Sequence, residues 1–561
     1  MFRGIQVADV IFYNGQVLTV DSDDSIKQAV AIQGRFIQAV GNDSDLLTLA
    51  GPDTDVINLR GRTVIPGIVD IHAHMDREGL KGIDPSLEGA NSIDEILAII
   101  RSEVNTKSPG EWVVTMPIGD PPNYADMPPG LQEGTFLTRW QLDSVSPNNP
   151  VYIRGIWTPW NVPPSVSVAN SLALEIAGID RHTIAPDPSV VISRNDCDEP
   201  TGVFVDHNRF PTVEFTLMKV VPRFTHSQRV EALKKSMQVY NGVGTTCIYE
   251  GHGVAPEVLR VYKDMWDLGA LTVRSHLVLS PSWRSLKEAE REMERWSHSA
   301  SGSGFGDDML RIGGYFIRYR GEPYTARARS AELPYTGWAG FAESYNSASQ
   351  FRKLVYLAAT YNLRVHTLAR EDLGDVLNVF EDVLKDFTKS DRRWILEHVL
   401  HTTSEQLECI KRLGLVIETI PLTELWLRGH YFMDSPQLSD SAVAHRSYIE
   451  QNIPFGLGTD NKPYSPFLTY WAAVARQERQ TGRVLGPTQC LSRLQALRAF
   501  TLGGAYFCFE ENRLGSLEPG KMADLAILSD DLNNMPEGDL PGLYSLLTMV
   551  GGKIVHRNGE L

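Results

Sequence analysis

The stretch Pro66–His74, which reads PGIVDIHAH, is the most informative part of this 561-residue sequence. Its apolar residues predict a short buried strand, and His72 and His74 stand two positions apart at its end. Because residues i and i+2 of a strand face the same side, the two imidazoles project together. Such a pair can hold a divalent ion, although two partly exposed loop histidines would show the same spacing.

Downstream of this stretch, helical and strand-like patterns alternate. Thr225–Tyr240 has an apolar helical face and is followed by an apolar run, and the same alternation recurs towards the C-terminus. The predicted strands are Val64–Ile71, Gly244–Tyr249, Leu271–Leu279, Arg311–Tyr319, Leu363–Thr367, Trp394–Val399, Leu415–Ile420 and Pro454–Thr459. This alternation predicts a parallel sheet, and eight such strands predict a closed (β/α)8 barrel of the TIM type. A doubly wound open sheet is the structural alternative.

Both ends of the chain have the two-residue alternation of β-strands. The segments with this pattern are Val10–Val20, Ala29–Val40, Ala523–Leu528 and Leu547–His556. We therefore predict an α/β protein in which residues 1–62 and 512–561 together form a small β-sandwich domain and residues 63–511 form the barrel domain. The region at about 80–221, with its proline-rich pieces, is predicted to be an insertion between the first two barrel strands.

The composition excludes several classes of function. With 42% hydrophobic and 22% charged residues and no apolar run long enough to span a bilayer, the chain has the composition of a soluble globular protein. A formal net charge of −16 argues against nucleic acid as the main partner, because phosphate binding needs a basic surface. The five scattered cysteines have no CxxC spacing and indicate reduced thiols. We expect a cytoplasmic protein with a small-molecule substrate and no secretory signal, and a homodimer is left open.

Three further residues with metal-binding side chains follow predicted strands. His366, His398 and Asp460 each stand at a strand-to-loop boundary, as His72 and His74 do. Functional groups of a TIM barrel gather at the carboxyl ends of its strands. Four imidazoles and a carboxylate at one rim form a nitrogen and oxygen site that suits Zn²⁺ or a similar divalent ion.

At this point the chain resembles the amidohydrolase superfamily, in particular its family 3 branch, which includes N-substituted formamide deformylases. The resemblance covers nearly the whole chain, and the segments that carry it most clearly are PGIVDIHAH, Glu397-His398, Gly458-Thr459-Asp460 and Leu514–Leu525, which reads LGSLEPGKMADL. The last segment carries no chemistry and marks the return of the chain into the small sheet domain.

The resemblance implies a role for each residue of the predicted site. His72 and His74 would be metal ligands from the first strand, and His366 would be the ligand from the fifth. His398 would bind a second metal ion or hydrogen-bond the reacting carbonyl group. Asp460 would contact both metal and water.

The sequence also departs from the pattern of that superfamily. Two-metal members often have a carboxylated lysine on the fourth strand, but no lysine occurs between Lys287 and Lys353. The site therefore holds one metal ion, or another carboxylate replaces the lysine, for which Glu250 at the end of the second strand is the candidate. The His-x-x-Gly-Asp pattern of the fifth strand is replaced by the sequence from His366 to Arg370, which leaves the substrate open.

The predicted reaction is hydrolysis of a non-peptide C–N bond in an amide, formamide, carbamate or urea. A divalent ion, with Zn²⁺ expected in one or two copies, lowers the pKa of water from 15.7 towards about 7. Asp460 would act as general base and then as general acid, and His398 would stabilise the oxyanion. The candidates for substrate contacts are Arg318, Arg320, Arg370 and Trp160, whereas His252 and His430 are interpreted as polar loop residues.

Three alternatives remain open from the sequence. The same site could deaminate a heterocycle or open a cyclic amide or urea. It could also serve a metal-dependent decarboxylase, because a metal ion stabilises an enolate-like carbanion equally well. A non-catalytic barrel scaffold is disfavoured because none of the five predicted ligands is missing.

Overall fold

The computed structural model describes residues 7–120, 131–155, 164–207, 212–321, 326, 335–342 and 344–561. Its centre is a barrel of eight parallel strands, numbered here barrel strands 1 to 8: Ile68–Ala73, Thr245–Glu250, Arg274–Leu279, Leu310–Phe316, Val365–Leu368, Ile395–Glu397, Val416–Thr419 and Phe455–Leu457. Neighbouring strands pair in this order along the sheet. The backbone N–H of Asp460 donates to the carbonyl of His72 at 2.8 Å, so barrel strand 8 returns to barrel strand 1.

Gly456 of barrel strand 8 and Gly458 directly after it allow the close approach of this strand to barrel strand 1. A Cβ on Gly458 would lie 2.5 Å from the Cβ of His72, and one on Gly456 would lie 2.9 Å from Ile71 Cδ1. Asp70 fastens the same junction, because its carboxylate accepts the hydroxyl of Thr459 at 2.6 Å and the backbone N–H groups of Thr459 and His72 at 3.1 Å each. The ends of the first and last strands are thereby held together.

Helices pack around the barrel through apolar faces. One helix, His226–Gly242, precedes barrel strand 2. The α-helices that come after barrel strand 2 are Pro256–Asp267, Leu286–Arg295, Ala348–Thr360, Leu373–Leu384, Ser404–Leu413, Pro436–Ser441, His445–Glu450, Pro466–Ala475, Arg493–Arg498 and Gly504–Phe507. In Ala348–Thr360, for example, Phe351, Leu354, Val355 and Ala358 are buried on one face. Across the part of the chain that is described, no helix has the length and apolar character needed to cross a bilayer.

Strands from the two ends of the chain form two further sheets, which pack against each other. The first contains Phe36–Gly41, Ala29–Gln33, Val10–Tyr13 and Asp55–Asn58, and the second contains Lys553–Arg557, Ser545–Val550, Leu525–Leu528, Thr63–Pro66, Gln16–Leu18 and Ile26–Lys27. Phe12 and Ile32 of the first sheet share an apolar core with Val64 and Leu547 of the second. These findings confirm the predicted fold class, a TIM-like barrel with a sandwich built from both ends.

One predicted strand was wrong in its bounds. The run Val64–Ile71 is two strands, since Thr63–Pro66 belongs to the terminal sandwich and Ile68–Ala73 to the barrel. Gly67 separates them at a point where a Cβ would lie 2.1 Å from Thr246 Oγ1. The close contact with barrel strand 2 requires glycine there, and periodicity alone does not show the break.

The region between barrel strands 1 and 2 has a sheet of its own. Its strands are, in sheet order, Val190–Arg194, Pro200–Asp206, Ser165–Ala169, Val151–Ile153 and Val113–Thr115. The helices of this region are Met75–Glu78, Ile93–Val104, Arg139–Val145, Ser171–Ala177 and Thr212–Phe215. Ile96, Leu142 and Val168 belong to an apolar cluster within it. The division into domains at 1–62 with 512–561, 63–511 and an insertion at 80–221 stays a prediction.

Candidate metal centre at the barrel mouth

His72, His74 and Asp460 bring three potential ligand atoms together. Both histidines are buried, and their Nε2 atoms have no hydrogen-bond partner among the residues described. Oδ1 of Asp460 lies 3.3 Å from His74 Nε2 and 3.7 Å from His72 Nε2. Two ligands that bind one tetrahedral ion at 2.0–2.1 Å are themselves separated by about 3.4 Å. The three atoms are therefore spaced as a ligand set before any ion is considered.

A second group of ring nitrogens overlaps with the first. One ring nitrogen each of His72, His252 and His398 lies within 4.8 Å of the others. The ring centroid of His72 is 4.8 Å from that of His252 and 4.9 Å from that of His398. His252 was interpreted as a polar loop residue, but the loop after barrel strand 2 folds back over the barrel mouth. Its position two residues beyond Glu250, on the rim that carries the other candidates, is the signal that could have identified it.

A carboxylate faces Nδ1 of each of these four histidines. The pairs and their N···O distances are His72 with Glu418 at 2.6 Å, His252 with Glu397 at 2.8 Å, His398 with Glu424 at 3.3 Å and His74 with Glu250 at 3.8 Å. Carboxylates in this position orient metal-binding imidazoles and keep the proton on Nδ1. In the three pairs at hydrogen-bond distance, those of His72, His252 and His398, the opposite nitrogen, Nε2, is then free to bind an ion.

The electrostatic environment favours the neutral form of the imidazoles. Burial lowers the pKa of His72, His74 and His252, and it lowers the pKa of His398 to about 4. Burial alone would raise the pKa of Asp460, but the charge of Lys462 and the neighbouring imidazoles hold that pKa well below its usual value. Neutral imidazoles and an ionised carboxylate are the protonation states that bind divalent ions.

Lys462 contacts the carboxylate of Asp460 on the side away from His74. Its Nζ donates to Oδ2 of Asp460, and burial lowers the pKa of Lys462 to about 8. Oδ1 of Asp460 remains directed at His72 and His74, whereas Oδ2 lies 3.6 Å from His398 Nε2. The two oxygens of Asp460 therefore face different groups.

Backbone strain marks the same two strand ends. His398 has a φ of 55° and Asp460 a φ of 54°, in the left-handed region that few residues other than glycine adopt. Such strain costs on the order of 1–3 kcal/mol per residue and clusters at functional sites, where the surrounding structure maintains it. Both of these residues direct their side chains at the shared space, where their ring nitrogen and carboxylate oxygen lie 3.6 Å apart.

Gly251 leaves room for an ion beside His72. A Cβ at this position would lie 2.3 Å from His72 Nε2, so any larger residue would fill the space in front of that nitrogen. The partnerless Nε2 atoms, the spacing of the Asp460 oxygen and this gap all fit a divalent ion.

Two other predicted ligands lie behind this set. Nε2 of His366 is 3.1 Å from the hydroxyl of Tyr249, and its Nδ1 is 3.8 Å from Glu397 Oε1, so Glu397 stands between His366 and His252. Glu250 accepts the hydroxyl of Tyr262 at 2.5 Å and faces Nδ1 of His74, the nitrogen opposite the shared space. The structure does not bring either residue into the two groups.

The predicted substrate residues are placed in different surroundings. Arg320 is exposed and pairs with Asp372 and Asp375 at 3.3 Å each, which keeps it away from the site. Arg370 donates to Oε2 of Glu424 at 2.7 Å. Trp160 lies outside the described residues.

Arg318 is a second predicted substrate residue that lies near the site. Its Nε is buried without a hydrogen-bond partner in the described part of the chain, and its charge acts on the nearby Glu397. Phe316, the last residue of barrel strand 4, has its ring centroid 5.1 Å from that of His252. An aromatic residue of barrel strand 4 thus faces the site.

Comparisons with known proteins identify the family of this chain. The sequence profile of the amidohydrolase family matches residues 55–556, so the chain belongs to that family. It is 26% identical to an N-substituted formamide deformylase of Arthrobacter pascens, covering 98% of both chains, and 24% identical to the putative amidohydrolase YtcJ of Bacillus subtilis (strain 168), covering 97% of this chain and 99% of the relative. A metal-dependent hydrolase from Pyrococcus horikoshii OT3 shares the fold, with a TM-score of 0.67 at 21% identity over 94% of this chain and 99% of that one.

Family membership gives the class of reaction. The chain is a hydrolase that acts on carbon–nitrogen bonds other than peptide bonds, which confirms the class predicted from the sequence. The family and the donor set together support a divalent metal ion as cofactor.

Proposed function

We propose that this enzyme hydrolyses the C–N bond of a neutral, aryl-bearing amide of the N-substituted formamide type, with one Zn²⁺ ion held by His72, His74 and Asp460. The observation that carries the proposal is the convergence of two partnerless Nε2 atoms and one carboxylate oxygen at 3.3–3.7 Å. The oxygen is ionised and the imidazoles are neutral, as binding of the ion requires.

One ion is proposed because both groups of donors depend on the same atom. His72 belongs to the set with His74 and Asp460 and also to the set with His252 and His398. Its Nδ1 faces Glu418 at 2.6 Å, which leaves Nε2 as the atom that would serve either set. A ring nitrogen binds one ion at a time, so two ions could not both have three ligands from these sets. The set with Asp460 binds the ion more strongly, because its carboxylate adds a formal negative charge near the cation.

The ion, when bound, supplies an acidified water and polarises the carbonyl group of the substrate. Asp460 accepts the proton of the attacking water at Oδ2, the oxygen that faces His398. Burial raises the pKa of Glu424, but the charge of Arg370 and the His398 contact outweigh it and lower that pKa to about 2. The Glu424 carboxylate keeps a proton of His398 on Nδ1, so Nε2 of His398 carries a lone pair. Nε2 lies 3.6 Å from Oδ2, takes the water proton over from Asp460 and gives it to the departing nitrogen. This differs from the predicted role of His398 as a donor to the oxyanion.

The substrate site is proposed to be the cavity beside barrel strands 3 and 4. It measures about 540 Å³, and its apolar walls include Trp283, Leu286, Phe316, Ile317, Tyr345 and Leu354. Phe316 connects the cavity with His252. Among the described lining residues Arg284 is the only charged one, and the remaining polar groups are serine, asparagine and glutamine side chains. Such a lining suits a neutral aromatic group with a few hydrogen bonds.

Arg318 is proposed to contact the acyl oxygen of the substrate. It follows Phe316 by two residues and its Nε is buried without a partner in the described structure. The deformylase activity named for the Arthrobacter relative, which matches over its whole length, supports a formamide as the acyl part. The products would be formate and a primary amine.

The experiment compares matched compounds on the zinc-loaded protein. An N-alkyl formamide with a neutral aryl group is expected to release formate and amine in equal amounts, and its kcat/KM is expected to exceed that of the same compound with a ring carboxylate. The zinc-loaded Asp460→Asn variant is the control and is expected to be inactive with its fold intact.

The alternatives give different products. Ammonia from an amino-substituted heterocycle would indicate a deaminase, and CO₂ from a hydroxybenzoate would indicate a decarboxylase. Either product without formamide cleavage would overturn the proposal, as would a preference for the carboxylated compound.

A further inference from the structure

A second cluster of metal-binding side chains lies inside the barrel, towards the amino-terminal ends of its strands. Cys247 is the third residue of barrel strand 2 and His276 the third of barrel strand 3. Cys508 directly follows the short helix Gly504–Phe507, whose last carbonyl accepts a hydrogen bond from Arg364 at 2.6 Å. Three residues of strand, or about 10 Å, separate Cys247 from Glu250 at the barrel mouth.

The donor atoms of this cluster are close enough to share an ion. One ligand atom each of Cys247, His276 and Cys508 lies within 4.8 Å of the other two, and all three residues are buried. The remaining cysteines are different, because Cys197 is exposed and Cys409 and Cys490 are half-buried. Two thiols and an imidazole are the donors that Zn²⁺ and other thiophilic ions prefer.

The charged side chains next to the cluster are paired with other residues and do not compete with the sulfur atoms of Cys247 and Cys508 as ligands. Arg274 is held by Asp524 at 2.7 and 2.9 Å and by Asp308 at 3.0 Å, so its charge is already balanced. Glu510 is held by Arg311 at 3.2 Å and Arg513 at 3.0 Å, which takes its carboxylate out of the donor set. Three protein ligands remain.

Charge balance decides which ion suits the cluster. Two thiolates, a neutral imidazole and one divalent cation sum to zero, and a neutral group is the form that a buried site tolerates best.

We infer that Cys247, His276 and Cys508 form a second metal site, with three protein ligands for a thiophilic divalent ion such as Zn²⁺, that ties barrel strands 2 and 3 to the segment after barrel strand 8. The site is distinct from the proposed catalytic centre in its position and in its ligands, since the donors at the barrel mouth are nitrogen and oxygen atoms only. It closes the amino-terminal end of the barrel, where Cys247 and Cys508 pack in the same apolar cluster as Phe507.

Cobalt spectroscopy separates the two sites, because only a thiolate ligand gives sulfur-to-cobalt charge-transfer absorption in the near ultraviolet. Full-length protein from cells grown with Co²⁺ and depleted of zinc is expected to show this band. Cys247→Ser and Cys508→Ser are expected to lose it and to bind one equivalent of metal less per chain. Cys409→Ser, the matched control outside the cluster, and Asp460→Asn are expected to keep it.

Three results would overturn the inference. They are a folded wild-type protein that binds cobalt without the band, a band that persists in both Cys247→Ser and Cys508→Ser, and a Cys247–Cys508 disulfide in the purified protein by intact mass. The wild-type spectrum decides the question even if a serine variant does not fold. Since Asp460→Asn tests the barrel mouth alone, loss of the proposed hydrolase function would leave this result unaffected.

Discussion

Nδ1 of His252 lies 2.8 Å from Oε2 of Glu397, and this contact turns a loop histidine towards the ring of His72. The same arrangement of a carboxylate behind an imidazole is found at His72 with Glu418 and at His398 with Glu424. Acidic side chains from barrel strands 6 and 7 and from the loop after strand 7 thus fix the orientation of the histidines. The candidate centre is built as much by these carboxylates as by its ligands.

Replacement of His252 tests whether the loop after barrel strand 2 belongs to the site. Because its ring faces both His72 and His398, we expect His252→Ala to lower kcat by about 10- to 100-fold, as loss of a residue that supports a metal site does. The measurement is steady-state kinetics together with metal content. His182→Ala, at an exposed position, serves as the control. Unchanged kcat and metal content in His252→Ala would show that the loop histidine has no part in the site.

The carboxylate behind His72 is expected to set the affinity for metal. Glu418→Gln keeps the shape of the side chain but replaces the carboxyl group, whose Oε1 lies 2.6 Å from Nδ1 of His72, with an amide. We expect metal affinity to fall by about 10- to 100-fold, measured by competition with a chelator of known affinity. Glu408→Gln, on the exposed face of a barrel helix, is the matched control and is expected to bind as the wild type does. Equal affinities in both variants would contradict the role of Glu418.

Gly251→Ala tests the space in front of His72. The added Cβ would lie 2.3 Å from Nε2, so the ring must move or the ion must be excluded. We expect the purified variant to retain no ion at the barrel mouth and to lack activity. Gly538→Ala, where a Cβ would meet nothing within 4 Å, is expected to behave as the wild type. A fully loaded and active Gly251→Ala enzyme would refute the assigned position of the ion.

Two arginines two residues apart provide a test of substrate contacts. Arg318→Met is expected to reduce kcat/KM by about 10- to 100-fold, the effect of losing one hydrogen bond to a charged group. Arg320→Met is expected to change kcat/KM little, because Arg320 is exposed and pairs with Asp372 and Asp375. The opposite order of effects would assign the contact to Arg320.

The fold and the central ligands could be predicted from local sequence patterns. The alternation of helices and apolar strands determined the barrel, and the spacing of His72 and His74 placed both side chains on one side of a strand. His398 and Asp460 were found because each directly follows a strand. In these cases a short segment carries the whole signal.

The rest of the site depends on contacts between distant segments. Glu418 meets His72 across 346 positions of sequence, and Glu397 meets His252 across 145. The position of His366 depends on the hydroxyl of Tyr249, which no pattern within barrel strand 5 indicates. The cluster of Cys247 with Cys508 joins residues from barrel strand 2 and the end of the barrel domain, so cysteine spacing gave no sign of it.

Anomalous diffraction at the zinc absorption edge from crystals of the metal-loaded enzyme tests the central claim most directly. We predict a peak at the barrel mouth about 2.0–2.1 Å from Nε2 of His72, Nε2 of His74 and an oxygen of Asp460. A peak whose ligands exclude Asp460 and either histidine, or no peak at the barrel mouth in a fully active crystal, would contradict it.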